Sequence, residues 1–189
     1  SGSSFEGFAE NKLSVITFNY DRSLEYYLYT SLKNFFHETG ENAAKIMSAL
    51  PIIHVYGQIG YLPWQNKTPE RSYGNKDQRY IVESSTLIKI LHKEEDIENY
   101  ESLKKARELL GAAERVYFLG FGYHEANLDR LGIKTLDNST KQIYGTALGL
   151  TDRERNRTVS LSNKKIDLSL PNVGGLKILE FMREHIDLI

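Results

Sequence analysis

One stretch of this chain, Val15 to Glu25, constrains the fold more than any other, because an apolar strand there runs directly into a helix. Residues 15–18 are β-branched or aromatic and carry no charge, as is typical of a buried strand. We predict a helix over 22–36 with these residues on its buried face: Leu24, Tyr27, Leu28, Leu32, Phe35 and Phe36. Asn19 and Asp21 lie between the two elements, at the carboxyl end of the strand, where ligands bind in open α/β sheets.

Strand and helix patterns alternate along the rest of the chain. The β-branched runs end at glycines or turns, and the amphipathic segments carry charges between their apolar positions. The pattern predicts strands at 52–56, 115–119 and 141–147, a short helix capped by Thr39 or Asn42 and ending at 50, and helices at 96–113, 124–131 and 176–186. Residues 57–80 and 151–165 are polar and read as loops, and residues 81–91 fit a strand or a helix.

The predicted strands are too short and too uniformly apolar for a one-sided antiparallel sheet. The predicted fold class is therefore α/β, with a mostly parallel sheet covered by helices on both faces. A length of 189 residues with 40% hydrophobic and 26% charged residues fits one globular domain, which we place at 5–189. Residues 1–4 read as a tag or a flexible end.

Charge and cysteine content exclude several classes of function. Twenty-four basic and 25 acidic side chains give a net charge of −1, so no overall field attracts nucleic acid or a membrane surface. The absence of cysteine excludes disulfides, thiol nucleophiles and zinc–thiolate sites, and no histidine spacing resembles a metal site. No apolar run reaches the ~20 residues of a membrane span, and no secretory signal is visible, so we expect a cytoplasmic protein.

Three short motifs follow one another in the order Thr17-Phe18-Asn19-Tyr20-Asp21, His54-Val55-Tyr56-Gly57 and Phe118-Leu119-Gly120-Phe121-Gly122. Their order resembles the sirtuin-like family over roughly residues 13–133, with Asn127-Leu128 matching a later Asn-Leu element. The nearest likeness is to divergent bacterial sirtuin-like domains of antiphage defence, several of which consume NAD.

The resemblance implies a deoxyhypusine-synthase-like, Rossmann-type fold that binds NAD. By position in the motifs it implies nucleotide contacts from Thr17, Asn19, Asp21, Gly57, Gly120, Gly122 and Asn127. It also implies catalytic roles for Asn19, Tyr56 and His54.

Two departures from the family pattern change what the resemblance implies. The family's phosphate-binding glycine turn precedes its Thr-x-Asn-x-Asp element, and none precedes Thr17 here. We therefore expect the carboxy-terminal part of a larger domain that lacks its first βα unit. The family's catalytic histidine falls on Tyr56, a phenol and so a poor base at neutral pH, while His54 lies two residues upstream.

Each candidate residue also has a structural interpretation. Asp21 is as well placed to cap the following helix as to bind a ribose. His54 is either a general base or a hydrogen-bonded core residue, and we favour the core role. Gly120 and Gly122 fit a nucleotide-binding turn or a plain strand-to-helix turn. Asn19 has no structural duty that the sequence suggests, so it is the preferred ligand contact.

The resemblance implies NAD as substrate or ligand, and the first functional hypothesis is NAD hydrolysis in antiphage defence. In that mechanism Asn19 orients the ribose, the nicotinamide–ribose bond breaks through an oxocarbenium-like transition state, and water traps the cation. The alternative is a non-catalytic sensor or assembly module that binds NAD or ADP-ribose. A third hypothesis is a protein-interaction domain that keeps only the fold. Homo-oligomerisation and further domains of the full-length protein are open.

Overall fold

The computed structural model describes residues 4–89, 100–137 and 139–186. The chain divides into two compact units, Ser1–Ser102 and Leu103–Ile189, each with helices and one pair of parallel strands. The α/β class is therefore confirmed. The Rossmann-type arrangement and the single domain over 5–189 stay predictions.

The first unit is built around two parallel strands and the helices that connect them. Its elements are α1 (Phe5–Ala9), β1 (Val15–Thr17), α2 (Ser23–Phe35), α3 (Gly40–Ala49), β2 (Ile52–His54) and α4 (Arg79–Ser85), with a 3-10 turn at Pro63–Gln65. In the β1–β2 register Thr17 lies opposite His54, so both strands end at the same edge. The Thr39 hydroxyl accepts a hydrogen bond from the Asn42 N–H and caps α3, as one of the two predicted caps.

The predicted buried face of α2 is wrong in part. Leu28, Leu32 and Phe36 do pack in the core with Ile46 and Met47 of α3. The other three apolar residues of the predicted face lie outside, since Leu24, Tyr27 and Phe35 are 39%, 59% and 76% exposed. The buried side of the helix instead begins at Glu25, a charged residue that the apolar pattern passed over.

The second unit repeats the parallel pairing with different surroundings. Its elements are α5 (Glu101–Ala112, which begins at the unit boundary), β3 (Arg115–Phe118), α6 (Glu125–Arg130), β4 (Gln142–Gly145), α7 (Asp152–Leu161) and α8 (Ile178–His185), with a 3-10 turn at Ile133–Thr135. Phe118 lies opposite Gly145 at the ends of β3 and β4. Phe181 of α8 is fully buried against Ala147 and Val173.

Residues 151–165 contain a helix where the sequence predicted a loop. Thr151 and Glu154 form a capping box: the Thr151 hydroxyl accepts from the Glu154 N–H, and the Glu154 carboxylate accepts from the Thr151 N–H. This cap starts α7 although the segment is mostly polar. The ambiguous segment at 81–91 is helical as far as Ser85, its end lies outside the described residues, and so does the predicted helix start at 96–99.

Candidate functional site

The turn after β1 presents two of the predicted contact residues to solvent. The Thr17 hydroxyl accepts a hydrogen bond from the Asn19 N–H at 3.1 Å, which bends the chain away from the strand. Asn19 and Asp21 are both exposed, and the Asn19 side-chain amide forms no hydrogen bond among the described residues. A carboxamide therefore stands at the carboxyl end of β1 with a donor and an acceptor available.

Asp21 helps to cap α2, as its structural interpretation predicted, but from one residue before the N-cap position. The N-cap position of α2 is Arg22, and the Asp21 carboxylate accepts a hydrogen bond from the N–H of Ser23, the first helical residue, at 2.9 Å. Hydrogen bonds from Ser23, through its side chain and then its backbone, hold the pKa of Asp21 below its usual value. Asp21 therefore stabilises the helix start and remains accessible from solvent.

His54 lies buried beneath this turn with both ring nitrogens engaged. Its Nδ1 is 2.7 Å from the Asn19 carbonyl oxygen, and its Nε2 is 2.6 Å from Glu25 Oε1. A carbonyl oxygen only accepts, so Nδ1 carries a proton. These contacts are those of a hydrogen-bonded core histidine, and they leave no ring nitrogen free to take a proton from a ribose hydroxyl.

Glu25 also receives a buried arginine. Arg22 Nη2 lies 3.0 Å from Glu25 Oε1, with the two side chains only 5% and 3% exposed. The same guanidinium donates to the Gly60 carbonyl at 3.2 Å and to Gln65 Oε1 at 2.9 Å, so it also fixes the loop after β2. We call Arg22, Glu25 and His54 the buried ionic network.

The charge state of the buried ionic network follows from its contacts. Burial by itself raises the pKa of Glu25, but the hydrogen bond with His54 and the charge of Arg22 outweigh it and hold that pKa below its usual value. Burial lowers the pKa of Arg22, and a guanidinium still stays protonated in proteins. A proton lies between Nε2 of His54 and Glu25 Oε1, because two lone pairs would repel each other at 2.6 Å.

Tyr56 and Gly57 continue the chain just beyond β2. The half-buried Tyr56 ring packs edge-on against Phe18 with centroids 5.2 Å apart. Gly57 has a φ of +83°, and a Cβ at this position would lie 1.9 Å from the Leu87 carbonyl oxygen. Glycine is required there because the neighbouring backbone passes so closely, whether or not a nucleotide binds.

The glycine turn of the predicted nucleotide motif lies in the second unit. Gly120 has a φ of +61°, and its N–H donates to the Thr146 hydroxyl at 2.8 Å. The Thr146 carbonyl in turn accepts from the buried Tyr123 hydroxyl at 2.9 Å. Gly122 packs close to the His124 ring, and Asn127 lies half-buried on α6. Neutral hydrogen bonds thus hold this turn.

The structure gathers four predicted site residues at one sheet edge of the first unit: Thr17, Asn19, Asp21 and His54. Sequence reasoning missed Arg22, Glu25 and Thr146. The signal for Glu25 was its spacing, because residues three and seven positions later on α2, Leu28 and Leu32, are core residues.

The cavities of the second unit do not coincide with the predicted site. An open cavity of about 1150 Å³ lies between α7 and residues 166–175, and no predicted site residue lines it. Among residues 4–89, 100–137 and 139–186 there is no group of three or more His, Cys, Asp or Glu able to hold a metal ion. No helix in the same ranges has the length and apolar character needed to cross a membrane.

No family model, curated protein or solved structure matches this chain. Fold and geometry therefore define its class by themselves: an α/β protein whose first unit presents a carboxamide over a buried ionic network.

Proposed function

We propose that this chain is a sirtuin-like NAD-binding domain in which Asn19 contacts the ribose next to nicotinamide. One observation carries the proposal: the Asn19 side chain stands unengaged and exposed at the carboxyl end of β1, on a turn held from below by His54. Ligands of open α/β sheets bind at this edge, and a carboxamide can both donate to and accept from ribose hydroxyls.

The energetics of the buried ionic network support a binding role for the turn above it. Buried ion pairs are weak contributors to stability, since desolvation offsets much of their attraction. A buried arginine and a buried carboxylate, bound to a buried histidine beneath the turn at 18–22, are therefore poorly explained by stability alone. A role in binding would explain the network, because it would hold the turn so that the Asn19 carboxamide keeps one position.

Hydrolysis of the nicotinamide–ribose bond, as in the antiphage domains that the motifs resemble, is the second candidate. It is supported by the exposed Asn19 amide, which could orient a ribose. An oxocarbenium-like route needs an oriented ribose more than it needs a strong base. The doubly hydrogen-bonded His54 and the phenol of Tyr56 favour binding over fast turnover. The non-catalytic NAD or ADP-ribose module is therefore our first choice.

The test is calorimetric titration of NAD and of ADP-ribose into the intact protein, alongside assays for nicotinamide release. We expect Asn19→Ala to weaken binding by at least about tenfold, or ~1.4 kcal/mol, because a ribose hydroxyl loses its partner. Asn34→Ala, an exposed asparagine on α2, is the matched control and should bind as wild type.

The outcomes separate the candidates. Binding without nicotinamide release supports the non-catalytic module, whereas release that is lost in Asn19→Ala supports the hydrolase. Folded wild-type protein that binds neither NAD nor ADP-ribose overturns the proposal.

A further inference from the structure

We propose that Glu25 is a positioning residue for Asn19: it keeps His54 protonated on both ring nitrogens, and His54 clamps the Asn19 carbonyl so that the turn presents its carboxamide in one orientation. This inference rests on the proposed function, because it assigns Glu25 a part in the same nucleotide site. Glu25 does not touch the ligand in this scheme and acts only through His54.

The first step is the clamp itself. Asn19 lies beyond the paired residues of β1, and the His54 Nδ1–H donates to its carbonyl at 2.7 Å. His54 is the last residue of β2, paired in register with Thr17. The clamp therefore ties the end of one strand to the residue two positions beyond the end of the other.

The second step is what holds the ring. Rotation of a histidine about its χ2 angle would exchange nitrogen and carbon positions and release the Asn19 carbonyl. The contact between Nε2 and Glu25 Oε1 at 2.6 Å prevents this rotation, since it binds the opposite side of the ring. Charge-assisted hydrogen bonds of this kind are shorter and stronger than neutral ones.

The third step is the charge on Glu25. Arg22, at 3.0 Å, is the cation that keeps the carboxylate ionised after burial. An ionised Glu25 stabilises an imidazolium, and an imidazolium donates from both nitrogens at once. Removing the charge of Glu25 while keeping its size should therefore alter His54 first and Asn19 second.

The network also retains unsatisfied atoms, which argues that stability is not its main purpose. Glu25 Oε2 and Arg22 Nε are buried and have no hydrogen-bond partner among the described residues. A buried group without a partner is unfavourable, so an arrangement selected for stability alone would satisfy or replace them. A network that fixes a ligand-binding turn is constrained by geometry instead.

The experiment compares Glu25→Gln with Glu41→Gln, whose carboxylate forms an exposed pair with Lys45. Side-chain 15N NMR of His54 at pH 7 reports whether each ring nitrogen is protonated, and calorimetry reports NAD affinity. In wild type and in Glu41→Gln we expect both nitrogens to be protonated. In Glu25→Gln we expect a neutral ring, whose hydrogen bond to the Asn19 carbonyl is weaker because it is no longer charge-assisted, and NAD binding weakened by at least about tenfold.

A double variant separates positioning from general loosening. If Glu25 acts through Asn19, then Asn19→Ala with Glu25→Gln should bind NAD no more weakly than Asn19→Ala alone. Additive losses would overturn the inference and leave the proposed function standing. Unchanged affinity in folded Glu25→Gln would overturn it as well.

Two further outcomes are decisive even if the affinity of Glu25→Gln for NAD cannot be measured. If Glu25→Gln does not fold, the wild-type spectrum decides, because a His54 ring with only one protonated nitrogen contradicts the role proposed for Glu25. If wild type binds no NAD, the proposed function and the ligand part of this inference both fail. The spectra then still report whether Glu25 sets the protonation of His54.

Discussion

The two strand pairs share a topology, yet their carboxyl ends are held by opposite kinds of chemistry. Beyond β1 and β2 the turn rests on the ion pair of Arg22 and Glu25, with His54 buried against Glu25. Beyond β3 and β4 the turn rests on neutral hydrogen bonds, with Thr146 between Gly120 and the Tyr123 hydroxyl. Parallel pairing therefore fixes where a turn lies, while the side chains beneath it decide which conditions and substitutions disrupt it.

The largest expected effect separates the two chemistries directly. Glu25→Ala leaves the Arg22 guanidinium buried without its carboxylate partner, and breaking a buried ion pair in this way costs about 3–5 kcal/mol of unfolding free energy. Urea denaturation measures the loss. Glu41→Ala removes an exposed pair and should cost no more than about 1 kcal/mol. Equal losses in the two variants would contradict an ionic basis for the first turn.

A packing change should disrupt the second turn. A Cβ at Gly145 would lie 2.0 Å from Tyr123 Oη and 3.1 Å from Leu168 Cδ2, so Gly145→Ala must displace the tyrosine. We expect a loss of about 1–3 kcal/mol by thermal or urea denaturation. The control is Gly111→Ala within α5, where a Cβ meets nothing within 4 Å and should stabilise the protein by about 0.5–1 kcal/mol. If Gly145→Ala leaves the free energy of unfolding unchanged, then the Tyr123 hydroxyl does not pack against Gly145.

Removal of one hydroxyl should have a smaller effect, with a pH dependence. Tyr123→Phe deletes the bond to the Thr146 carbonyl and should cost about 0.5–1.5 kcal/mol at pH 7. Burial raises the pKa of Tyr123 above its usual 10.0, so the folded state retains the proton that the unfolded state loses. The stability that this tyrosine contributes is present below pH 10 and declines as the pH rises further. Denaturation midpoints across the alkaline range should fall less steeply in Tyr123→Phe.

Acid should weaken the first turn by a smaller, gradual amount. The pKa of Glu25 lies below its usual 4.5 in the folded state, so its contribution is present above that value and is lost as the pH falls through the folded pKa. Glu25→Gln should flatten the acid limb of a stability–pH curve, and Glu41→Gln should leave it as in wild type. An acid limb that is identical in all three proteins would contradict the assignment of Glu25 as the titrating group.

Most helices and strands were predictable because the spacing of their apolar residues agreed with the residues that mark their ends. The strand at 15–18, the helix over 22–36 and the Thr39 cap all carry local signals, and the structure places them within a residue or two. The helix at 152–161 was missed because its apolar content is low, and its start depends on the capping box of Thr151 and Glu154. A search for capping boxes, made before the search for apolar spacing, would have found this helix.

The site was predictable only in its exposed part. Asn19 and Asp21 are visible from sequence because polar residues end an apolar strand. Glu25 was not, because charged residues on a helix are normally assigned to its solvent face, and only the partners Arg22 and His54 make its burial possible. Arg22 lies three positions before Glu25, but His54 reaches Glu25 from the end of β2, 29 residues away, and periodicity does not encode that contact.

The contacts of Arg22 have a thermodynamic consequence. Arg22 Nη2 contacts both Glu25 and Gln65, and Nη1 donates to the Gly60 carbonyl, so the loop after β2 and the turn after β1 share a single cation. Ordering of the loop and ordering of the turn are therefore linked equilibria. Linkage is reciprocal, so whatever free energy a ligand gains from a preformed loop, the loop gains in equal measure from the bound ligand.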